Sequence, residues 1–251
     1  MAGLMTLRLL KECVAEFSKV EYGDTNYFAY LRRIQDLKNT GDDELVHQLV
    51  EFLNKWQCRL TDAPPLRRAL KEALSDIHAF ITATRRITIE EADLCAYQRI
   101  GEQQVLQLAQ IAHLCFDRLV AVGERFASVA SAKTLHMLSP GFFVMWDNSI
   151  YEGYRRILPG TGCEAWFYAY EFLPRMQSEV ANLIEDGIKE TGSSREELLA
   201  EIRSGFGSFS AAKTVAKVLD EFNYVMFTKG KLVKLLAPQQ TTTGSNEDAA
   251  V

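Results

Sequence analysis

The amino-acid sequence predicts an all-α protein of about ten helices. Apolar residues recur at steps of three and four along most of the chain, as they do on the buried face of a helix. No alternating apolar run bounded by turn residues competes with these helices. Only 6 of the 251 residues are proline and 47% are hydrophobic, so helices are rarely interrupted and a full core can form.

The first four helices are predicted from apolar stripes and start signals. The stripe of the first covers residues 4–17, and the second follows Asp24-Thr25. The third begins after the break at residues 41–43, where the aspartates supply an N-cap. The fourth begins at Pro64 and runs to about Thr84, because proline is tolerated in the first turn of a helix.

The middle and the end of the chain continue the helical pattern. Thr88 and Glu91 have the spacing of a capping box, and a long apolar helix is expected after Gly101. One domain is expected over residues 1–237 and a polar, disordered tail over residues 238–251. The remaining helices are predicted at about 125–138, 147–157, 163–190, 194–203 and 209–227.

The charge is acidic overall but uneven along the chain. The sequence has 28 Lys+Arg and 33 Asp+Glu, a net charge of −5, which at first argues against nucleic acid as a partner. Residues 184–201 hold six acidic and two basic residues. In contrast, residues 203–234 hold six basic and two acidic residues, and residues 65–86 hold five basic and two acidic residues. Because phosphate binding depends on the local field, the last two segments predict basic surfaces. Solvated helix faces are the alternative for each segment.

Several classes of protein are disfavoured. The five cysteines include no close pair, no glycine-rich loop is followed by Lys-Ser/Thr, and the four histidines lack metal-ligand spacing. No apolar run approaches the roughly 20 residues of a membrane span, and no secretory signal is visible. A soluble, cytoplasmic monomer without a metal or cofactor is therefore expected.

The segment from residue 127 to residue 150 is the most informative for chemistry. A run of small residues precedes Lys133, the turn signal Ser139-Pro140-Gly141 follows, and Asp147 opens the next helix. The turn can bring one amine and one carboxylate to the mouth of an apolar pocket, an arrangement that suits catalysis by a lysine nucleophile. The alternative is structural, with Asp147 as an N-cap and Lys133 as its partner on the surface.

This pattern resembles the catalytic core of helix-hairpin-helix DNA glycosylases over about residues 120–157. It is closest in pattern to the lysine-dependent 8-oxoguanine glycosylases of the compact archaeal type. The resemblance implies a two-lobed helical bundle with a central cleft, Lys133 as the nucleophile, and Asp147 as the residue that assists it and stabilises the cationic sugar. Residues 147–150 match an Asp-x-x-Val segment, although Val129-Ala130-Ser131-Ala132 stands where a Gly-x-Gly hairpin is expected. The spacing of 14 residues between the lysine and the aspartate is also short for the family.

Further residues are candidates for the walls of a base pocket. Asp220 and Tyr224 share a helix face and resemble an acid-plus-aromatic pair of the archaeal enzymes. Asn54 lies in an otherwise apolar stretch, where a buried amide needs partners that a base edge would supply. Each has a structural alternative in ordinary packing or in a helix-to-helix hydrogen bond. The remaining candidates are Trp56, His136 and Trp146.

The predicted function is excision of a modified base from DNA, with or without AP-lyase activity, in repair or in defence against phage with modified DNA. No cofactor is needed for that reaction. Ser131, Arg155, Arg156 and Lys213 are predicted to contact DNA. The alternatives are an all-α module that binds nucleic acid without catalysis and a helical module that binds another protein, with the Lys133 region as core.

Overall fold

A computed structural model describes residues 4–19, 24–37, 43–100, 104–123, 126–207 and 213–232. This part of the chain is mostly helical, which confirms the predicted class in its coarse form. A π-helical turn, Tyr168–Phe172, joins α8 to α9 without a break, and a second one, Tyr224–Thr228, follows α11 directly. The α-helices are α1 (Leu7–Phe17), α2 (Asp24–Asp36), α3 (Asp43–Lys55), α4 (Pro64–Thr84), α5 (Leu108–Val120), α6 (Ser128–Leu138), α7 (Asn148–Ile157), α8 (Glu164–Phe167), α9 (Leu173–Thr191), α10 (Arg195–Arg203) and α11 (Val215–Asn223).

Two short strands, β1 (Tyr97–Ile100) and β2 (Gln104–Gln107), form an antiparallel hairpin in which Tyr97 pairs with Gln107. The sequence does not predict this hairpin, because apolar and polar residues do not alternate between its two faces. Ile100 is buried on one face, whereas on the other face Tyr97 is 67% exposed and Val105 is 54% exposed. The expected helix after Gly101 therefore begins only at Leu108.

The helix start predicted at Thr88 is wrong. Residues 88–96 form consecutive turns, in which the Ala92 N–H donates to the Thr88 carbonyl over 2.8 Å. The carboxylate of Asp93 accepts the Cys95 N–H over 2.9 Å, as in an Asx turn. The buried side chains of Ile89 and Leu94 are five residues apart, so this segment has no helical stripe to stabilise the capping box.

Helix α6, which carries Lys133, lies inside the core. Nearly all of its side chains are buried, including Ala130, Ser131 and Ala132, whose small size lets neighbouring elements approach closely. The ring nitrogen of Trp146 donates to the Ser128 carbonyl over 3.2 Å and so ties the segment before α7 to the start of α6. Lys133 and Asp147 are therefore held by two elements that are fixed to each other.

The described helices include none that is long and apolar enough to cross a membrane. The tail predicted over residues 238–251 lies outside the described residues.

Candidate functional site

One cavity of about 400 Å³ brings together residues from five helices, α1, α3, α6, α7 and α11. The loop after α3, the segment before α7 and the π-helical turn after α11 complete its lining. Lys133 and Asp147 both line it, although they are separated by a turn and lie on different elements. Its walls include four other predicted site residues, namely Trp56, Trp146, Asp220 and Tyr224.

The amine of Lys133 contacts Trp56. Its Nζ donates to the Trp56 carbonyl over 2.9 Å and lies 5.7 Å from the centroid of the Trp56 ring. The Sγ of Cys58 is 4.0 Å away, and burial raises the pKa of that thiol. Lys133 is half-buried, and no ion pair joins it to Asp147 in the described part of the chain, so the expected surface pair between the two is wrong.

The carboxylate of Asp147 has two fixed contacts. Oδ1 accepts the Ile150 N–H over 2.9 Å, which confirms that Asp147 is the N-cap of α7. Oδ2 accepts the Thr228 hydroxyl over 2.6 Å. Asp147 is thus an N-cap and a wall of the cavity at once, so its structural role does not keep it away from the site.

Aromatic rings form much of the remaining wall. Tyr224 meets Phe17 edge-on, with ring centroids 5.5 Å apart, and both residues line the cavity. The indole nitrogen of Trp56 is buried and has no hydrogen-bond partner among the described residues. Trp146 is only 1% exposed and packs edge-on against Tyr168. Flat apolar surfaces of this kind suit the face of a planar ring.

Four buried charged residues, Lys213, Lys217, Asp220 and Glu221, form a cluster that reaches the cavity through Asp220. Lys217 Nζ is 2.7 Å from Asp220 Oδ2 and 3.3 Å from Glu221 Oε1, and Lys213 Nζ is 2.6 Å from Glu221 Oε1. Lys217 Nζ also lies 5.1 Å from the centroid of the Trp56 ring. Asp220 is the member of this cluster that lines the cavity. Two positive charges opposite two negative ones offset part of the large desolvation penalty of burying them.

The expectation that Asn54 lines a base pocket is wrong. Asn54 is exposed and lies in a separate hollow beside α3. Its amide is bonded within its own chain segment, since Nδ2 donates to the Leu60 carbonyl over 3.2 Å and Oδ1 accepts the Leu60 N–H over 2.7 Å. This clamp holds a loop in which Gln57 and Arg59 adopt positive φ angles of 63° and 51°.

Replacing Asn54 with alanine is expected to destabilise the protein by about 1–2 kcal/mol, because two hydrogen bonds that hold a strained loop are lost. Chemical denaturation measures this change. The exposed neighbour Lys55 supplies the control, since Lys55→Ala is expected to change stability by less than about 0.5 kcal/mol. Equal effects of the two substitutions would contradict the clamp.

His136 is buried and does not line the cavity. Its Nδ1 is 2.6 Å from the Phe143 carbonyl and its Nε2 is 2.8 Å from the Tyr27 hydroxyl. The carbonyl can only accept, so Nδ1 carries the proton and Nε2 accepts from Tyr27. Burial lowers the pKa of His136 to about 3, which keeps the ring neutral. The prediction of a pocket residue is wrong here and the packing alternative is confirmed.

Two of the four predicted DNA contacts are wrong, because their side chains are buried. Ser131 bonds to the Ala127 carbonyl of its own helix, and Lys213 pairs with Glu221. Arg155 is half-buried and donates to the Gly160 carbonyl over 2.6 Å, whereas Arg156 is exposed.

The basic surface predicted over residues 203–234 is also reduced. Lys213 and Lys217 are buried, and Arg203 pairs with Glu90 over 2.6 Å. In the segment 65–86, Arg67 pairs with Asp62 over 2.6 Å and Lys71 pairs with Asp43 over 2.7 Å. Counting charges along the sequence therefore overstates the positive surface, because it ignores burial and pairing.

Other cavity residues are not predicted from the sequence. Thr228 follows Asp220 and Tyr224 at four-residue steps, a spacing that is visible in the sequence and places it on the same helix face. Phe17 gives no such signal, because it ends an ordinary apolar stripe. Lys55, the last residue of α3, and Gln57, in the loop that Asn54 clamps, also line the cavity.

Comparison with known proteins gives no family for this chain. No protein-family model matches it, and no curated protein and no solved structure proved similar to it. Within the described residues, no three His, Cys, Asp or Glu side chains converge as a metal site would require.

Proposed function

We propose that this protein is a DNA glycosylase that excises a modified base through Lys133 as the nucleophile and Asp147 as the assisting carboxylate. The observation that carries the proposal is the cavity itself. Lys133, Asp147 and the pair Asp220 and Tyr224 come from three separate parts of the sequence, and all of them line it. An amine, two carboxylates and aromatic rings around one opening are the groups that this chemistry needs.

The reaction needs an amine and a carboxylate in one partly dry site. Cleavage of the N-glycosidic bond develops positive charge on the sugar, which the Asp147 carboxylate stabilises. Neutral Lys133 attacks the sugar C1′, and the base leaves with the electrons of the glycosidic bond and takes up a proton. The C1′–O4′ bond of the sugar then opens, the two protons of the amine having passed to the base and to O4′, and a C1′=N Schiff base joins enzyme and sugar. The imine acidifies the neighbouring C–H of the sugar, and β-elimination can then cut the strand.

The position of Lys133 supports this role. Its amine is anchored by the Trp56 carbonyl, an uncharged acceptor, and by no carboxylate in the described part of the chain. The amine therefore has no salt bridge to break before it turns towards a substrate. We infer that substrate binding draws Lys133 away from Trp56.

The aromatic walls support binding of a flipped base. An enzyme that acts on a base in duplex DNA must extrude it and hold it by stacking and by hydrogen bonds to its edge. Trp56 and Tyr224 offer ring faces or edges, and the Asp220 carboxylate offers acceptors for N–H groups. A cavity of about 400 Å³ falls within the usual range for sites that bind small molecules.

The proposed function implies a helix-hairpin-helix element. Its hairpin would lie before α6, and not at residues 129–132 as the sequence predicts. Residues 129–132 belong to α6 and form no hairpin. Between the end of α5 at Val120 and the start of α6 at Ser128, the structure describes residues 121–123 and 126–127. A two-lobed arrangement with the cavity as its central cleft is part of the same proposal.

A base-release assay on duplexes that carry single modified bases tests the proposal. The panel includes oxidised purines, oxidised pyrimidines, deaminated bases and the enlarged pyrimidines of modified phage DNA. Wild-type protein is expected to release at least one of these bases, and Lys133→Gln is expected to reduce that rate by about 10³-fold or more. Lys55→Gln is the matched control, because Lys55 lines the same cavity but is exposed, and its activity is expected to stay within a few fold.

The alternative is a module that binds DNA without catalysis. It is supported if the protein binds these duplexes but releases no base from any of them. Equal base release by wild type and Lys133→Gln would exclude Lys133 as the nucleophile.

A further inference from the structure

The π-helical turn Tyr224–Thr228 shapes one wall of the cavity. It continues α11 and places Tyr224 and Thr228 on the cavity together with Asp220. A π-helical turn inserts an additional residue into a helix, and such turns occur frequently at functional sites. Thr228 is the last residue of this turn, so the position of its hydroxyl depends on the geometry of the turn.

The same turn is fixed against α7, the helix that Asp147 caps. Gly153 of α7 faces the Phe227 ring so closely that a Cβ at this position would lie 2.2 Å from Phe227 Cδ1. The rings of Tyr154 and Phe227 are 4.8 Å apart, and the Tyr154 hydroxyl donates to Asn223 Oδ1 over 2.8 Å. These contacts fix the π-helical turn against α7, and Thr228 lies beside Asp147 at the start of α7.

The Thr228 hydroxyl is the second of two restraints on Asp147. The Ile150 N–H occupies Oδ1, which leaves the carboxylate free to tilt unless Oδ2 is held as well. Thr228 holds Oδ2 over 2.6 Å, a length typical of a hydroxyl that donates to a charged oxygen. Oδ2 keeps a second lone pair for the contents of the cavity, which both residues line.

We propose that Thr228 is a positioning residue, whose hydroxyl sets the orientation of the Asp147 carboxylate towards the reacting sugar. This inference rests on the proposed glycosylase function for its chemical consequence. It does not require Thr228 to touch the substrate. Misplacement of a catalytic group by about 1 Å can reduce a rate by about 10²-fold, so the loss of this hydrogen bond is expected to affect the chemical step.

Thr228→Val removes the hydroxyl and keeps the shape of the side chain, whereas Thr228→Ser keeps the hydroxyl. Thr228→Val is expected to lower kcat for base release by roughly 10- to 100-fold with little change in KM, and Thr228→Ser is expected to retain most of the activity. Thr191→Val is the matched control, because Thr191 also donates a hydroxyl hydrogen bond, to the Gly187 carbonyl over 2.8 Å at the far end of α9. Equal kcat values for the valine and serine variants of Thr228 would overturn the inference.

Crystal structures of wild type and Thr228→Val supply a readout that does not depend on activity. A rotated Asp147 carboxylate in Thr228→Val, with the Ile150 contact kept, supports the positioning role. An unchanged Asp147 side chain overturns it. If wild-type protein releases no base, the proposed function fails, and the crystallographic comparison still decides whether Thr228 positions Asp147.

Discussion

Replacing Lys217 with methionine is expected to destabilise the protein by about 3–5 kcal/mol, because it leaves the buried Asp220 carboxylate without its cation and removes one of two cations beside Glu221. Lys217 is fully buried and pairs with Asp220 and Glu221. Methionine matches the length of the lysine stem, so the volume in the core is largely kept. The contacts of Nζ with the rings of Phe17 and Trp56 are lost together with the ion pairs, so the loss reports the charge. Urea denaturation of both proteins at neutral pH gives the difference in the free energy of unfolding.

Two further variants separate the charge from the packing. In Lys217→Met with Asp220→Asn, one positive and one negative charge are removed together, while the Lys213–Glu221 pair remains. This double variant is expected to recover a substantial part of the lost stability, as replacement of a whole buried pair often does. Lys229→Met, at an exposed position directly after the π-helical turn, is expected to change stability by less than about 0.5 kcal/mol. A loss below about 1 kcal/mol for Lys217→Met would contradict the buried cluster.

The cluster also matters for the proposed function. Burial of four charges is a weak source of stability, because desolvation offsets most of the attraction between them. Its position explains its presence better, since it holds the Asp220 carboxylate in the cavity wall through Lys217. Because Lys217 holds only one oxygen of the Asp220 carboxylate, the remaining lone pairs can accept hydrogen bonds from a molecule in the cavity.

Stability is expected to fall by about 2 kcal/mol between pH 7 and pH 5 because of His136 alone. Burial lowers the pKa of this imidazole to about 3 in the folded protein, whereas the unfolded chain takes up a proton near pH 6.5. The unfolded state therefore binds more protons in this range, and the contribution of neutral His136 is complete above about pH 6.5 and lost progressively towards pH 3. Denaturation curves at half-unit intervals of pH measure the slope.

The variant His136→Gln identifies the source of this slope. Glutamine does not titrate, so the variant protein is expected to lose about 2 kcal/mol less stability than the wild type between pH 7 and pH 5. This holds even if the variant is less stable than the wild type at pH 7. His78→Gln is the control, because His78 is exposed, and it is expected to keep the slope of the wild type. If His136→Gln and wild type lost the same amount of stability between pH 7 and pH 5, the claim that His136 is buried in its neutral form would be contradicted.

Much of the helical framework can be predicted from the sequence, because the signals are local. Pro64 marks the first residue of α4 and Asp147 caps α7, as expected from the chemistry of helix starts. The placement of Lys133 and Asp147 around one cavity follows from the turn at residues 139–141 and from the opening of the next helix. These inferences need only neighbours in the sequence.

The remainder depends on contacts that are distant in the sequence. In the sequence Lys213 and Lys217 are typical of surface residues. They are buried because each forms an ion pair with a buried carboxylate. Ser131 and His136 lie on α6, where nearly all side chains are buried, so an apolar stripe cannot show which side faces a site. The hairpin Tyr97–Ile100 and Gln104–Gln107 is too short and too exposed to give an alternating pattern.

Asn54 shows how a correct local observation can give a wrong conclusion. The Asn54 amide does have hydrogen-bond partners, but they lie six residues ahead, at the Leu60 backbone, and not in a ligand. The positive φ angles at Gln57 and Arg59 that this contact stabilises carry no signal in the sequence, because neither residue is glycine or asparagine. The loop still serves the cavity, since it places the Trp56 carbonyl against the Lys133 amine.

Borohydride trapping on duplexes with single modified bases tests the central claim, that Lys133 attacks the sugar, most directly. Reduction of the Schiff base joins protein and DNA irreversibly, and peptide mapping identifies the attached residue. We expect an adduct on Lys133 that persists in Lys55→Gln and is absent from Lys133→Gln. An adduct on another residue, or base release by wild type without any adduct on any duplex, would contradict the lysine nucleophile.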